Sequence, residues 1–168
     1  MKYFTKELWE KTNLSTNSDE LKKNFNEWDI RFENYYKQLE LISNRLGDAY
    51  KHFSKVSFHD FRLEKMELLH NRYYEKPALQ IRLIVTDDMN DWVKSPEDAC
   101  RYELFFEEVI GLDLICVKNN QDNCGLDEWG YEEILAVDGK TLSFEVLFTS
   151  GANLYITFPD QALKVNKL

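Results

Sequence analysis

Apolar residues recur at alternating steps of four and three from Leu21 to Val56. The stripe is Leu21, Phe25, Trp28, Phe32, Tyr35, Leu39, Ile42, Leu46, Ala49, Phe53 and Val56. That is a seven-residue repeat held for about five heptads, one stripe along a helix. Asn17 with Glu20 supplies a capping pair, with Ser18 as its competitor, and Asp19 and Glu20 complement the helix dipole. The main helix is therefore predicted to start near residue 18. An unbroken helix from 18 to 56 would be about 58 Å long, against a width of about 40 Å for a compact domain of this size. Gly47-Asp48 offers the break, a glycine C-cap followed by an aspartate N-cap. The pattern predicts a long helix over about 18–46 and a shorter one over 48–55. A short helix over Lys6–Thr12, with Leu8 and Trp9 as its apolar side, precedes them. Four consecutive bulky aromatics in the repeat suit a sheet face better than a coiled-coil seam.

From Phe61 the period shortens to two. Phe61-Arg62-Leu63-Glu64 alternates, slips near Lys65 and resumes at Met66 and Leu68, the pattern of a strand with a bulge. Leu79, Ile81, Leu83 and Val85 form one face of a second strand, and Cys100, Tyr102, Leu104 and Phe106 one face of a third. Leu112–Val117 is a further strand, Trp129, Tyr131, Glu133, Leu135 and Val137 start the next, and Leu142, Phe144, Val146 and Phe148 and then Leu154, Ile156 and Phe158 follow. Asp138-Gly139 and Ser150–Asn153 mark tight turns, and Pro159 is a stop. No helix-length segment separates the last runs, so their connections should be antiparallel. The fold class is α+β in a single domain over 1–168. A helical layer, residues 1–58, lies on an antiparallel sheet of six or seven strands, residues 59–168. Trp28, Phe32, Tyr35 and Leu39 would then face Ile81 and Leu83. The opposite helix face carries only Ile30, Tyr36 and Leu41 as apolar residues, which predicts a monomer or at most a weak dimer.

Charge changes this picture. The net charge is −9, and its distribution is uneven. Residues 1–58 hold ten Lys/Arg against nine Asp/Glu, whereas residues 59–168 hold eleven against twenty-one. The strand half would repel nucleic acid and anionic membrane and attract a basic protein. No apolar run reaches the roughly 20 residues of a membrane span. The first residues lack the apolar core of a signal peptide, and the three cysteines form neither an even set nor a CxxC pair. The expected setting is the cytoplasm.

The opening Met1-Lys2-Tyr3-Phe4-Thr5-Lys6-Glu7-Leu8-Trp9, the Phe58-His59-Asp60 step and the late Trp129-Gly130-Tyr131-Glu132-Glu133-Ile134 run along the whole chain. On these segments the sequence resembles a bacterial family known only as a domain of unknown function, a resemblance that implies no activity. The strand half, with its His-Asp step and acidic surface, is similar in texture to small immunity and partner-binding proteins of bacterial toxin systems.

Candidate chemistry is sparse. His59-Asp60 stands where helix passes into strand, and two roles fit it. It can be a base or ligand with an orienting carboxylate, or a pair that satisfies backbone groups at the turn. A metal-assisted hydrolase would centre on His59 and Asp60, aided by an acid such as Asp87 or Glu103, and needs a pocket with two carboxylates near one point. Asp87, Asp88 and Asp91 resemble a calcium loop in composition but lack its alternation and its glycine. Grouped glycines, HExxH, CxxC and GxSxG are all missing, so no cofactor is expected. The leading expectation is a non-enzymatic protein-binding protein that uses the acidic strand half, with Glu103, Glu107, Trp92 and Tyr155 as partner-binding residues.

Overall fold

The helices begin where side chains can take their orphan N–H groups. In the computed structural model, which describes residues 1–71, 78–87, 99–116, 125–126 and 128–168, α1 spans Lys6–Leu14 and Thr5 Oγ1 accepts the Leu8 N–H. Helix α2 spans Ser18–Leu41. Its cap is Asn17, whose Oδ1 accepts from Asp19 and Glu20. Glu20 does not reach back to Asn17; its carboxylate takes the Ser15 hydroxyl at 3.1 Å. The predicted helix over 18–46 ends early. Ile42 leaves helical geometry, a single turn α3 (Ser43–Leu46) follows, and Gly47 sits at φ +61°, ψ −130° before α4 (Asp48–Phe53). Only glycine occupies that backbone region without strain. Asp48 does not cap α4: its carboxylate holds Lys51 Nζ at 2.7 Å.

The strand half is not one sheet of six or seven strands but two antiparallel sheets of four. The first contains β1 (Arg62–Asn71), β2 (Ala78–Thr86), β3 (Arg101–Val109) and β8 (Leu163–Lys167), in the order β1-β2-β3-β8. The second contains β4 (Gly111–Ile115), β5 (Trp129–Ala136), β6 (Thr141–Phe148) and β7 (Asn153–Pro159), in the order β4-β7-β6-β5. The slip at Lys65 is a register shift in β1, as the pattern predicts. Strand β8 lies beyond the Pro159 stop, where only Leu163 and Val165 carry the alternation.

Two corners make the second sheet. The chain bends at Ile110 between β3 and β4, and at Asp160–Gln161 between β7 and β8. Gln161 adopts φ +63°. Ile110 N–H donates to Thr157 O and Glu107 N–H to Ala162 O across the corner. Gly111 permits this approach, because a Cβ there would stand 2.8 Å from Thr157 Oγ1. The two inner faces then bury each other. Phe106 meets Phe144 and Phe158 at 5.5 and 5.2 Å between ring centroids, with Ile81, Leu83, Leu104, Leu154 and Ile156 fully buried around them.

The helices therefore do not face Ile81 and Leu83, which the opposing sheet covers. Helix α4 packs on β8, and α2 runs against β5. The Tyr35 hydroxyl accepts the N–H of Ile134 on β5, the outermost strand of its sheet. Tyr35, Leu39, Ile42 and Leu46 are buried, but Phe25 is 54% exposed and Phe32 41% exposed. The stripe is covered unevenly: Leu21 and Trp28 are half-buried, α1 also packs on α2, and Val56 at its end is exposed. The N-terminal segment lies across β5, tied by Glu133, whose fully buried carboxylate accepts the N–H groups of Lys2, Tyr3 and Phe4 at 2.6–2.7 Å.

Two outcomes follow from this packing. Leu39→Ala should lower unfolding free energy in urea by about 2–5 kcal/mol, whereas Phe25→Ala, measured on dilute protein, should cost less than about 1 kcal/mol. Glu133→Ala leaves three buried or half-buried N–H groups without their acceptor. It should cost on the order of 3 kcal/mol and open the Lys2 and Lys6 bonds to limited trypsin cleavage, which the wild type resists.

Candidate functional site

The junction between α4 and β1 is set by Phe58. Its ring has no exposed surface and lies within 4.7–5.8 Å of the rings of His52, Phe53, Phe61, Tyr102 and Trp129. Burying that side chain forces the chain to reverse at once. Phe61 N–H donates to Phe58 O, and Asp60 takes the left-handed φ of +66°, unusual for a residue with a Cβ. Asp60 N–H then donates to Trp129 O and Trp129 N–H to Phe61 O, and Arg62 bridges to Glu128. These contacts join the start of the first sheet to the start of β5.

On this turn His59 and Asp60 point outward, with side chains 39% and 44% exposed, and His59 Nδ1 lies 2.8 Å from Asp60 Oδ1. The His59 ring rests 4.6 Å from the ring of Tyr131. Beneath them is Glu132, buried, whose carboxylate accepts the Trp129 indole N–H at 2.9 Å and the Phe58 N–H at 3.2 Å. Burial pushes the Glu132 carboxyl above the ordinary range. The bonds from Phe58, Trp129 and Ser57 and the nearby His59 oppose that shift. The Tyr131 phenol is pushed up to about 12, by burial first and then by Asp60 and Glu132. The arrangement orients one imidazole with a carboxylate, and Ser57 Oγ is occupied by the His59 N–H.

The other acids expected to help are committed elsewhere. Asp87 is buried and its Oδ1 accepts the Cys100 N–H at 2.6 Å, joining the end of β2 to the start of β3. Glu103 lies 2.8 Å from Arg82 Nε and accepts from Asn166. Asp88, Asp91 and Trp92 lie outside the described residues. Among the described residues no three His, Cys, Asp or Glu side chains converge as a metal site would require. A cavity of about 690 Å³ between α1 and α2, lined by residues such as Lys11, Asn17, Lys23 and Glu27, lies away from the junction.

The partner-binding residues read from the sequence are not brought together. Glu103 and Glu107 are on the outer face of the first sheet. Tyr155 is on the outer face of the second, opposite Asp113 and Glu145. The acids of the first sheet also have cationic neighbours. Glu67 meets Lys65 and Arg82, Glu64 holds Arg101 at 2.6 and 2.9 Å, and Glu107 faces Lys164 at 3.7 Å.

A different surface stands out. Rings run without interruption from Phe32 to Phe4, Trp28, Tyr131 and His59, each 4.5–6.1 Å from the next, with Tyr36 beside Phe32 at 4.7 Å. Phe25 lies one turn before Trp28 on the same helix and is exposed. The heptad pattern marks these aromatics but not their exposure, which depends on how far β5 reaches along α2.

Two titratable groups flank Phe58 with opposite signs. His52 stacks on it, and burial lowers the pKa of that imidazole from its ordinary 6.5. Its contribution to stability is present above pH 6.5 and is lost as pH falls through the folded-state value. Glu132 is raised from its ordinary 4.5. Its contribution is full below pH 4.5 and is lost as pH climbs through the folded-state value. Urea midpoints measured across these windows should show His52→Phe removing part of the loss of stability as pH falls below 6.5, and Glu132→Gln removing part of the loss as pH rises above 4.5.

Compared with protein-family models, curated proteins and solved structures, the chain matches none.

Proposed function

We propose that this chain is a non-enzymatic protein-binding module that engages its partner through the aromatic band of α2. The observation that carries this reading is the exposure of Phe25 and Phe32 on a helix whose C-terminal half is buried. Solvent-facing aromatics contiguous with a packed aromatic layer form rigid, low-entropy contact area, the composition of interface anchors. The His59–Asp60 pair closes the far end of the band, where its turn holds Tyr131 in place. Cys100 and Cys116 are free thiols, which suits a protein acting in a reducing compartment such as the cytoplasm.

The charge of the strand half has a smaller part in this reading than the composition implies. On the first sheet the acids are shared among Lys65, Arg82, Arg101 and Lys164. Pairs of that kind present little net field to a partner at physiological salt. Contacts through the aromatic band should instead persist as salt rises.

Tagged wild type and a Phe25→Ser/Phe32→Ser variant, compared on cell extract at about 0.15 M and 0.5 M salt, test this. The wild type should retain a protein at both salts that the variant loses at both. Equal retention by the two forms would overturn the reading, and retention lost only with salt would move the site to the acidic sheet.

A further inference from the structure

We propose that residues 48–59 form an acid-sensitive latch, in which protonation of His52 releases the Phe58 turn from β3 and β5 while both sheets stay folded. The inference does not rest on what the aromatic band binds.

The latch is a ring stack with one polar atom inside it. The His52 imidazole lies on Phe58 at 4.7 Å and 21°, and Tyr102 at 5.0 Å and Phe53 at 5.4 Å meet it edge-on. The residue is half-buried, but its Nε2 is buried and has no hydrogen-bond partner. A neutral imidazole tolerates this, because it can keep its proton on Nδ1 and leave Nε2 as a bare lone pair. The cation carries N–H on both nitrogens, so its Nε2–H would be buried without an acceptor.

The surroundings offer no counter-charge. On α4, Lys51 is held by Asp48, and Lys55 follows in the next turn. On β3 and β8, Arg101 is held by Glu64, Glu103 by Arg82 and Lys164 by Glu107, while Lys167 stands 6.0 Å over the Tyr102 ring. Asp60 is paired with His59, and Glu132 is engaged by the Phe58 N–H and the Trp129 indole. The end of a six-residue helix and the faces of Phe58 and Tyr102 do attract a cation. Neither gives Nε2–H an acceptor, and burial holds the ring below its ordinary 6.5.

The segment is hinged at both ends. Gly47 precedes it at φ +61° and Asp60 follows it at φ +66°. Phe58 is the one buried side chain of the 54–60 connection, and the bonds from Asp60 N–H to Trp129 O and from Trp129 N–H to Phe61 O depend on its seat. Loss of the His52–Phe58 stack therefore also removes support for the left-handed Asp60. The strand ladders of both sheets are complete without residues 48–59, so the opening is local.

Amide hydrogen exchange on the full chain, read by NMR as protection against the intrinsic rate at each pH, tests this. Protection of the Asp60 and Trp129 amides should fall severalfold as pH drops from about 8 to about 4.5. The loss should begin near pH 6.5 and level off where the His52 ring itself titrates. Leu83 on β2 and Phe144 on β6 should stay far more protected than either at every pH. His52→Phe keeps a ring in the stack and should abolish the loss, whereas His59→Gln and Glu132→Gln should each retain it. Where His52→Phe does not fold, the match between the wild-type loss and the His52 titration decides. No loss, or an equal level of protection at all four amides, overturns the latch. So does a loss that persists in His52→Phe, disappears in His59→Gln, or departs from the His52 titration.

Discussion

The packing of Phe58 is the contact on which the two halves of the chain depend. One ring touches His52 and Phe53 from α4, Phe61 from the entry to β1, Tyr102 from β3 and Trp129 from β5. No other residue of the 54–60 connection is buried. Remove that anchor and the link from α4 into β1 and β5 opens, because the backbone bonds of Asp60 and Phe61 to Trp129 exist only while the turn is closed; α4 then keeps only its direct packing on β8 and on Phe144. The strained φ of Asp60 is held by the same packing, since a left-handed residue with a Cβ persists only where its surroundings over-determine it. The outward placement of His59 and Asp60 is a consequence of this turn. Two exposed neighbours on a forced reversal pair with one another through Nδ1 and Oδ1.

Adjacent carboxylates on β5 show how position outweighs residue type. Glu132 and Glu133 are both buried, yet they point to opposite sides of the strand, as alternation requires. Glu133 accepts three backbone N–H groups from the N-terminal segment, whose fixed dipoles stand in place of water around its carboxylate. Glu132 has an indole N–H and one backbone N–H as its close donors, and desolvation dominates its titration. The excess of acids after residue 58 is thus partly internal. Some of it clamps the N-terminus, some stabilises the Phe58 turn, and some is paired across the first sheet. A count of charges by segment sees none of these differences.

Much of the local structure was legible because it depends on neighbours in sequence. Asn17 caps α2, Gly47 breaks the helical run, Lys65 sits at a bulge, and the faces of β2, β3, β6 and β7 alternate as read, whereas a register shift after Trp129 turns Ile134 inward on β5 in place of Leu135 and Val137. The single sheet was not legible as two, because Gly111 and Pro159 mark where strands end and carry no signal of which sheet the next strand joins. Alternation identifies the face that is buried and is silent on what buries it. Ile81 and Leu83 were assigned to the long helix, but a second sheet covers them. The candidate site shows the same limit. His59-Asp60 was found from its place at a junction, whereas Glu132 looked like one more acid in an acidic half, and Phe25 and Phe32 looked like core.

The length of β5 explains that last mistake. Its eight residues extend about 26 Å, against about 36 Å for the 24 residues of α2. Even laid along the strand, the helix overhangs by about 10 Å, close to two turns. The turns that overhang are those with Leu21 and Phe25, and Phe32 lies at the side of the helix that the strand does not reach. Packing against β5 places no demand on the residue type at these positions, since the sheet cannot touch them. A polar side chain at Phe25 would keep the helix about as stable and more soluble, whereas Leu21 is half-buried and Phe32 rests on Phe4 and Tyr36. The heptad nevertheless continues through them with full-sized rings. Burial within the chain accounts for Tyr35 and Leu39 and does not account for Phe25, so one regular stripe does not have one physical cause along its whole length.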